Sequence, residues 1–201
     1  SENQNGFSIM GGKKMTITDI VIEPEFQNAK PKRRLAKAHI VIDNVLRIND
    51  IMILKNNKRI FVEFPCHKRD SAHPYIVPLN QSTRTYIEKE IISKYIDYQR
   101  EVIYRRTKYD LEKAEKRVHI LEGYKIALDN LDAVINIIRN AKDDDTAKHE
   151  LMTRFNLDDV QAESILELKL RRLTGLERSK IEEELNDLLK LIDELKGILA
   201  S

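Results

Sequence analysis

Tryptophan is absent, cysteine occurs once, and no proline follows Pro78 in a chain of 201 residues. The lone thiol, Cys66, has no partner for an internal disulfide, and no basic-then-apolar signal stretch opens the chain; both imply a reducing, cytoplasmic setting. No run of about 18 apolar residues exists to cross a bilayer as a helix, so no membrane partner is expected. The five prolines (Pro24, Pro31, Pro65, Pro74 and Pro78) crowd the first part. The loss of the strongest helix breaker beyond them predicts a helical second part.

Glycine and charge divide the chain in the same way. Three of the six glycines fall in the first twelve residues, and only Gly123, Gly175 and Gly197 punctuate the second half. Through Tyr95 there are sixteen Lys and Arg against ten Asp and Glu; after it there are nineteen against twenty-three, so a net charge of +2 hides two regions of opposite sign. Two architectures are joined.

Residues Ser1 to Lys14 have no periodic pattern and are followed directly by Met15, which marks 1–14 as a leader or tag remnant outside the fold. Ala36, Ala38, Ile40 and Ile42 then alternate with Lys37, His39 and Asp43, the period-two pattern of a half-buried strand. Ile51 to Leu54 and Ile60 to Phe64 flank Lys55-Asn56-Asn57-Lys58, where asparagine suits the positive φ of tight hairpins. Past Pro78, Asn80-Gln81-Ser82-Thr83 supplies N-cap candidates for a helix with Ile87, Ile91 and Ile92 on its apolar side.

The blocks Ala38-His39-Ile40-Val41-Ile42-Asp43, Asn49-Asp50-Ile51, Ile60-Phe61-Val62-Glu63-Phe64-Pro65, Lys68-Arg69 and Pro78-Leu79-Asn80-Gln81-Ser82-Thr83-Arg84 follow in the order of the SpoVG family of small bacterial regulators. Residues 15–95 resemble that family. The resemblance implies a small antiparallel sheet with a C-terminal helix that dimerises and binds DNA or RNA. This sequence departs from the family in the basic loop Lys30-Pro31-Lys32-Arg33-Arg34 and between Arg69 and Pro78.

From Ile96 the chain reads as helix. Thr107, Leu111, Ala114, Val118 and Leu121, and Ile181, Leu185, Leu188, Ile192, Leu195 and Leu199, are spaced by alternating fours and threes. Those are heptad seams, predicted to pair antiparallel as one coiled coil with Gly123 to Gly175 as a helical knob at its far end. Asp158-Asp159-Val160-Gln161 has the form of a capping box, Gly175 suits a helix C-terminus, and Thr174-Gly175-Leu176-Glu177 forms a second box. Val160, Ala162, Ile165, Leu166 and Leu168 exceed a single apolar stripe, which predicts a dimer interface on this helix.

Tyr98-Gln99-Arg100-Glu101-Val102, Arg105-Arg106-Thr107, the run from Ala114 to Gly123, Ala127-Leu128-Asp129-Asn130-Leu131-Asp132 and Arg171-Arg172-Leu173-Thr174-Gly175-Leu176-Glu177-Arg178 are similar to the long coiled coil and terminal knob of the A subunit of bacterial DNA gyrase. This resemblance covers residues 96–201. It implies an exit gate, a two-fold contact between subunits, without the tyrosine-bearing cleavage domain, the ATPase motifs or the DNA-wrapping domain. The expected class is α+β: a small sheet with a C-terminal helix continuing into an all-α antiparallel coiled coil and knob. Ile87, Ile91, Tyr95 and Tyr98 keep helical spacing across the junction, which points to a helix-to-helix fusion, an engineered chimera.

Six cations are the nucleic-acid candidates. Lys32, Arg33 and Arg34 are chosen for charge density, with no acid between Phe26 and Asp43. Lys68, Arg69 and Arg84 are implied by the SpoVG resemblance. Cys66, His67 and His73 lack the paired four-ligand spacing of structural zinc, and Asp143-Asp144-Asp145 suits helix capping better than a cation. No metal, cofactor, small-molecule substrate or enzymatic activity is expected. Two readings stand: a nucleic-acid-binding regulatory module on a dimerising, non-catalytic segment, forming homodimers or larger homo-oligomers, or a purely structural fusion scaffold that aids crystallisation.

Overall fold

The computed structural model describes residues 7–9, 13–24, 34–67, 70–169 and 175–200. The chain divides into two compact units, Ser1–Val102 and Ile103–Ser201, so the boundary lies seven residues beyond Tyr95, inside a helix.

Among the described residues the first unit holds eight strands: β1 (Phe7–Ile9), β2 (Lys13–Met15), β3 (Ile17–Pro24), β4 (Arg34–Ile42), β5 (Leu46–Lys55), β6 (Ile60–Glu63), β7 (Cys66–His67) and β8 (Asp70–Pro74). β3 to β6 form an antiparallel sheet in sequence order, while β1 with β2 and β7 with β8 make separate two-stranded ladders. The stretch expected to be a leader outside the fold therefore contributes a paired strand and two of the three residues of another, because Phe7, Ser8 and Ile9 pair with Met15, Lys14 and Lys13.

The predicted alternation on β4 is realised. Ala36, Ala38 and Ile40 are fully buried against Ile51, Ile53, Val62, Phe64 and the first turns of helix α1 (Gln81–Asp129), which contribute Ile87, Ile91 and Tyr95. Asn80 caps α1, its side chain accepting the Thr83 N–H at 2.8 Å. Burial raises the Tyr95 phenol above its ordinary pKa, with Tyr98 adding to the effect.

The β5–β6 hairpin closes as predicted but for a different reason. Neither Asn56 nor Asn57 has a positive φ; instead Asn56 Oδ1 accepts the N–H groups of Lys58 at 2.9 Å and Arg59 at 2.8 Å, an Asx turn that does the work of left-handed backbone. Positive φ occurs at Asp43 and Asn44 in the β4–β5 turn and at Asp50. The register shifts between Ala38 and Ile40 at that residue, and the Asp50 N–H donates to His39 Nδ1 across the bulge at 3.3 Å. His39 Nδ1 also lies 3.2 Å from Asn49 Oδ1, and its Nε2 lies 3.2 Å from Glu23.

In the second unit α1 continues to Asp129, followed by α2 (Leu131–Asn140), α3 (Asp144–Phe155), α4 (Asp159–Leu166) and α5 (Gly175–Ala200). The two predicted seams face each other: Ala114, Val118, Leu121 and Leu128 of α1 pack with Ile181, Leu185 and Ile192 of α5. Ion pairs Arg178 with Asp129, Arg117 with Glu184 and Lys196 with Glu115 show that the helices run antiparallel. α1 passes through Gly123, and α5 begins at Gly175, where the Thr174-Gly175-Leu176-Glu177 box was expected to open the returning helix; residues 170–174 lie outside the described residues. A second core, formed by Ala127, Val134, Ile137, Leu151, Leu157, Ala162 and Ile165, holds α2, α3 and α4 against the end of α1.

Candidate nucleic-acid interface and inter-chain contact

Of the six cations selected from sequence, Arg34 and Arg84 are described; Lys32, Arg33, Lys68 and Arg69 lie outside the described residues. Arg34 is exposed at the start of β4, opposite Leu54 of β5, which in turn faces Phe61 of β6. Arg84, exposed in the first turn of α1, sits with its guanidinium 5.8 Å from the Phe64 ring centroid. It lines a cleft of about 220 Å³ with Phe61, Phe64, Pro74, Ile76 and Pro78. Phe61 thus borders both the row that ends at Arg34 and the cleft that holds Arg84. Sequence reasoning passed over Lys55, Lys58 and Arg59, which are exposed on the hairpin beside that row. Their signal was present, since three cations in five residues share one turn.

The α4 residues separate into two kinds. Ala162 and Ile165 are 0% and 3% exposed and belong to the chain's own core. Leu166 packs partly against the same core, Leu168 is half-buried, and Val160 is 52% exposed. The surplus apolar face read from sequence is consumed chiefly by α2, α3 and α1, leaving Val160 as the open apolar residue of α4 among the described ones. Ile138 on α2, 42% exposed, adds an apolar position that the spacing did not single out. Nearby, Ile137, His149, Glu150, Thr153 and Arg154 line a shallow groove of about 270 Å³ between α2 and α3.

The anchoring of α4 is specific. Asp158 and Gln161 form the predicted capping box: Asp158 Oδ1 accepts the Gln161 N–H at 2.8 Å, and the Asp158 N–H donates to Gln161 Oε1 at 3.3 Å. Gln161 Nε2 also donates to the His119 carbonyl of α1 at 2.8 Å, and the His119 ring bonds to Asp158. The Gln161 backbone N–H, followed by the His119 bond, holds the Asp158 carboxyl below its ordinary range. Asp143 caps α3 through Thr146, whose hydroxyl and N–H lower its pKa, the capping role expected of the Asp143-Asp144-Asp145 run. On the next turn Lys148 reaches Asp159 at 2.7 Å and Glu163 at 3.4 Å; those bonds, Asp159 first, raise its pKa.

Among the described residues, no group of three or more His, Cys, Asp or Glu side chains is arranged to hold a metal, and no helix is long and apolar enough to cross a membrane. Cys66 is a free, half-buried thiol.

The family model for the A subunit of DNA gyrase/topoisomerase IV matches residues 13–201 of this α+β chain. The chain belongs to that family. It is 45% identical over 168 residues to the DNA gyrase A subunit of Streptococcus pyogenes serotype M18, covering 84% of this chain and 18% of that protein. It is 59% identical over 112 residues to the DNA gyrase A subunit of Clostridium acetobutylicum, covering 56% and 14%. With the corresponding gyrase protein of Helicobacter pylori it shares 47% over 122 residues, 61% of this chain and 15% of that protein. The chain spans less than a fifth of the length of these relatives.

Two expectations change. That the chain has no enzymatic role is overturned, because it matches part of an enzyme across nearly its whole length. The family match also begins within the sheet unit and crosses position 95, and a fusion at that junction is not shown.

Proposed function

We propose that this chain is the subunit-joining part of a gyrase-A-type topoisomerase, with α1 and α5 as an antiparallel coiled coil and α2 to α4 as a dimerising exit-gate knob. The observation that carries this reading is the α1–α5 seam together with the Gly123–Gln161 joint that seats α4 on α1. Such a joint presents Val160 of α4 on a rigid base, which a contact that opens and closes as a unit requires. A two-fold contact repeats the same patch on both copies, so a small exposed apolar surface is self-complementary by symmetry. The test is mass in solution by light scattering across micromolar concentrations. A dimer is expected, and a monomer throughout the range refutes the contact.

The sheet unit, on this reading, is a SpoVG-like module that binds DNA or RNA through Arg34 and Arg84 with Lys32, Arg33, Lys68 and Arg69. Phosphate binding by Lys and Arg releases counterions, so retention on nucleic acid should weaken as salt rises, by about 0.9 log units per contact per decade on duplex DNA. Absence of binding to any short duplex or single strand at about 50 mM salt, where the electrostatic contribution is strong, refutes this part.

A further inference from the structure

We propose that the outer face of the sheet at its hairpin end is a platform for single-stranded nucleic acid, on which Phe61 stacks a base while Arg34, Lys58 and Arg59 hold the phosphates. The inference rests on the nucleic-acid reading above and assigns it a site that the six cations chosen from sequence do not define.

Register places the platform. Ile53 of β5 and Val62 of β6 pair with each other and are buried in the core. Side chains alternate along a strand, so their neighbours Leu54 and Phe61, also paired, stand on the opposite face. Arg34 pairs with Leu54 and extends the row to β4, because a register shift between Arg34 and buried Ala36 puts the two on opposite faces. Three adjacent strands, about 4.8 Å apart, therefore carry cation, aliphatic group and aromatic ring in one line. Phe61 is half-buried and stands apart from the core cluster that its neighbour Ile60 packs against. A ring left on the solvent side of a sheet is what base stacking uses.

The hairpin supplies further charge. Asn56 pins the turn by accepting from both Lys58 and Arg59, so these two side chains leave from a fixed backbone. The Arg59 guanidinium lies over the Phe61 ring, 6.0 Å from its centroid, so a base that stacks on this ring displaces the guanidinium or uses the ring's other face. Arg34, Lys58 and Arg59 are all exposed, and none forms an ion pair with another described residue; Lys55 pairs with Ile60 and falls on the other face of the sheet. Lys37, by contrast, is engaged by Asp50 at 3.4 Å, and Glu63 stands two residues beyond Phe61 on β6. The platform thus has a cationic hairpin side and an acidic border, which would lay a strand along the row toward the hairpin. Duplex DNA would offer the ring no unstacked base, so single strands are the ligand this chemistry selects.

The test uses the full chain and fluorescein-labelled oligothymidylate, oligouridylate and duplex DNA of about 15 units, in the range of single-strand site sizes, followed by anisotropy against salt. Tighter binding of a single strand than of duplex is expected, with the two single-strand probes showing whether the sugar matters. Lys58→Ala/Arg59→Ala should flatten the log–log salt slope by up to about 1.4, at about 0.7 per contact on single strands. Phe61→Leu should weaken binding about tenfold, as loss of one stacked base does, while Phe61→Tyr keeps the ring and should bind within about twofold of the unmodified chain. Equal loss in Phe61→Leu and Phe61→Tyr would show that the residue only packs, and would overturn the platform. So would a preference for duplex. If Lys68→Ala/Arg69→Ala weakens binding and Lys58→Ala/Arg59→Ala does not, this site is refuted while the reading above survives; no binding by the unmodified chain refutes both.

Discussion

A Cβ on Gly123 would lie 3.0 Å from the Gln161 Cβ and 3.1 Å from its Cγ, so α4 presses on α1 where glycine alone leaves room. The same glutamine donates to the His119 carbonyl one turn earlier on α1. Close approach and hydrogen bond belong to one joint: the helices must come this near for the amide to reach.

Gly123→Ala should therefore destabilise the helical unit even though alanine favours helix. Propensity would contribute up to about 1 kcal/mol of stabilisation, against an overpacking cost of about 1–3 kcal/mol where the blocking atoms are the inner part of a side chain. A lower urea midpoint is expected. Combination with Gln161→Ala, which leaves the shared Cβ but removes Cγ and beyond, should give less than the sum of the two losses.

The Asp158 cap predicts an acid limb in the stability profile. Its carboxyl titrates below the ordinary value in the folded chain, through the Gln161 N–H first and the His119 ring as well. The folded state thus binds fewer protons than the unfolded one, and the stabilisation is present above the unfolded pKa of about 3.9 and lost as pH falls through the folded value. Asp143 acts with the same sign through Thr146. Urea unfolding from about pH 5 to about pH 2 should show the decline. Asp158→Ala should lower stability at neutral pH by about 1 kcal/mol and make the acid decline shallower.

Arg117 and Glu184 form a two-pronged pair at 2.7 and 3.0 Å across the α1–α5 seam, and hydrogen bonding to Glu184 raises the Arg117 pKa. Both side chains are more than a third exposed, so water screens the pair. A double-mutant cycle with Arg117→Met and Glu184→Gln should give a coupling of about 0.5–1 kcal/mol that shrinks as salt rises. A coupling indifferent to salt would count against this account.

Two substitutions on α4 separate folding from association. Ile165→Asp puts a charge into the core with Leu151 and Ala162 and should cost about 3 kcal/mol or more, seen as loss of the helical unit's melting transition. Val160→Asp, at an exposed position, should leave stability within about 0.5 kcal/mol while shifting the mass in solution toward monomer.

Much of the fold was legible because its signals are local. The alternation from Ala36 to Ile42, the Asn80 cap, the capping box at Asp158 and the heptad stripes each lie within a few residues of sequence, and each corresponds to a feature of the structure. The candidate sites were less legible. Arg34 and Arg84 were chosen from unrelated stretches, and strand pairing together with the start of α1 brings both near Phe61. The hairpin was predicted, yet its cations were not recognised, because nothing in the run from Lys55 to Arg59 says which face of the sheet lies beside them.

By itself the sequence determined the two architectures, the helical seams and the helix ends, since period, proline placement and capping chemistry act over one or two turns. Only the tertiary structure decided which apolar residues remain open. Ala162, Ile165 and Val160 look alike as members of one helix, but the first two are covered by α2, α3 and α1 and the third is not. Likewise local spacing gives Gly123 no role beyond bounding the knob, and it proves to be a contact point, because its role depends on Gln161, thirty-eight positions away along the chain. Burial is set by what packs against a residue, and packing partners this distant leave no trace in local spacing.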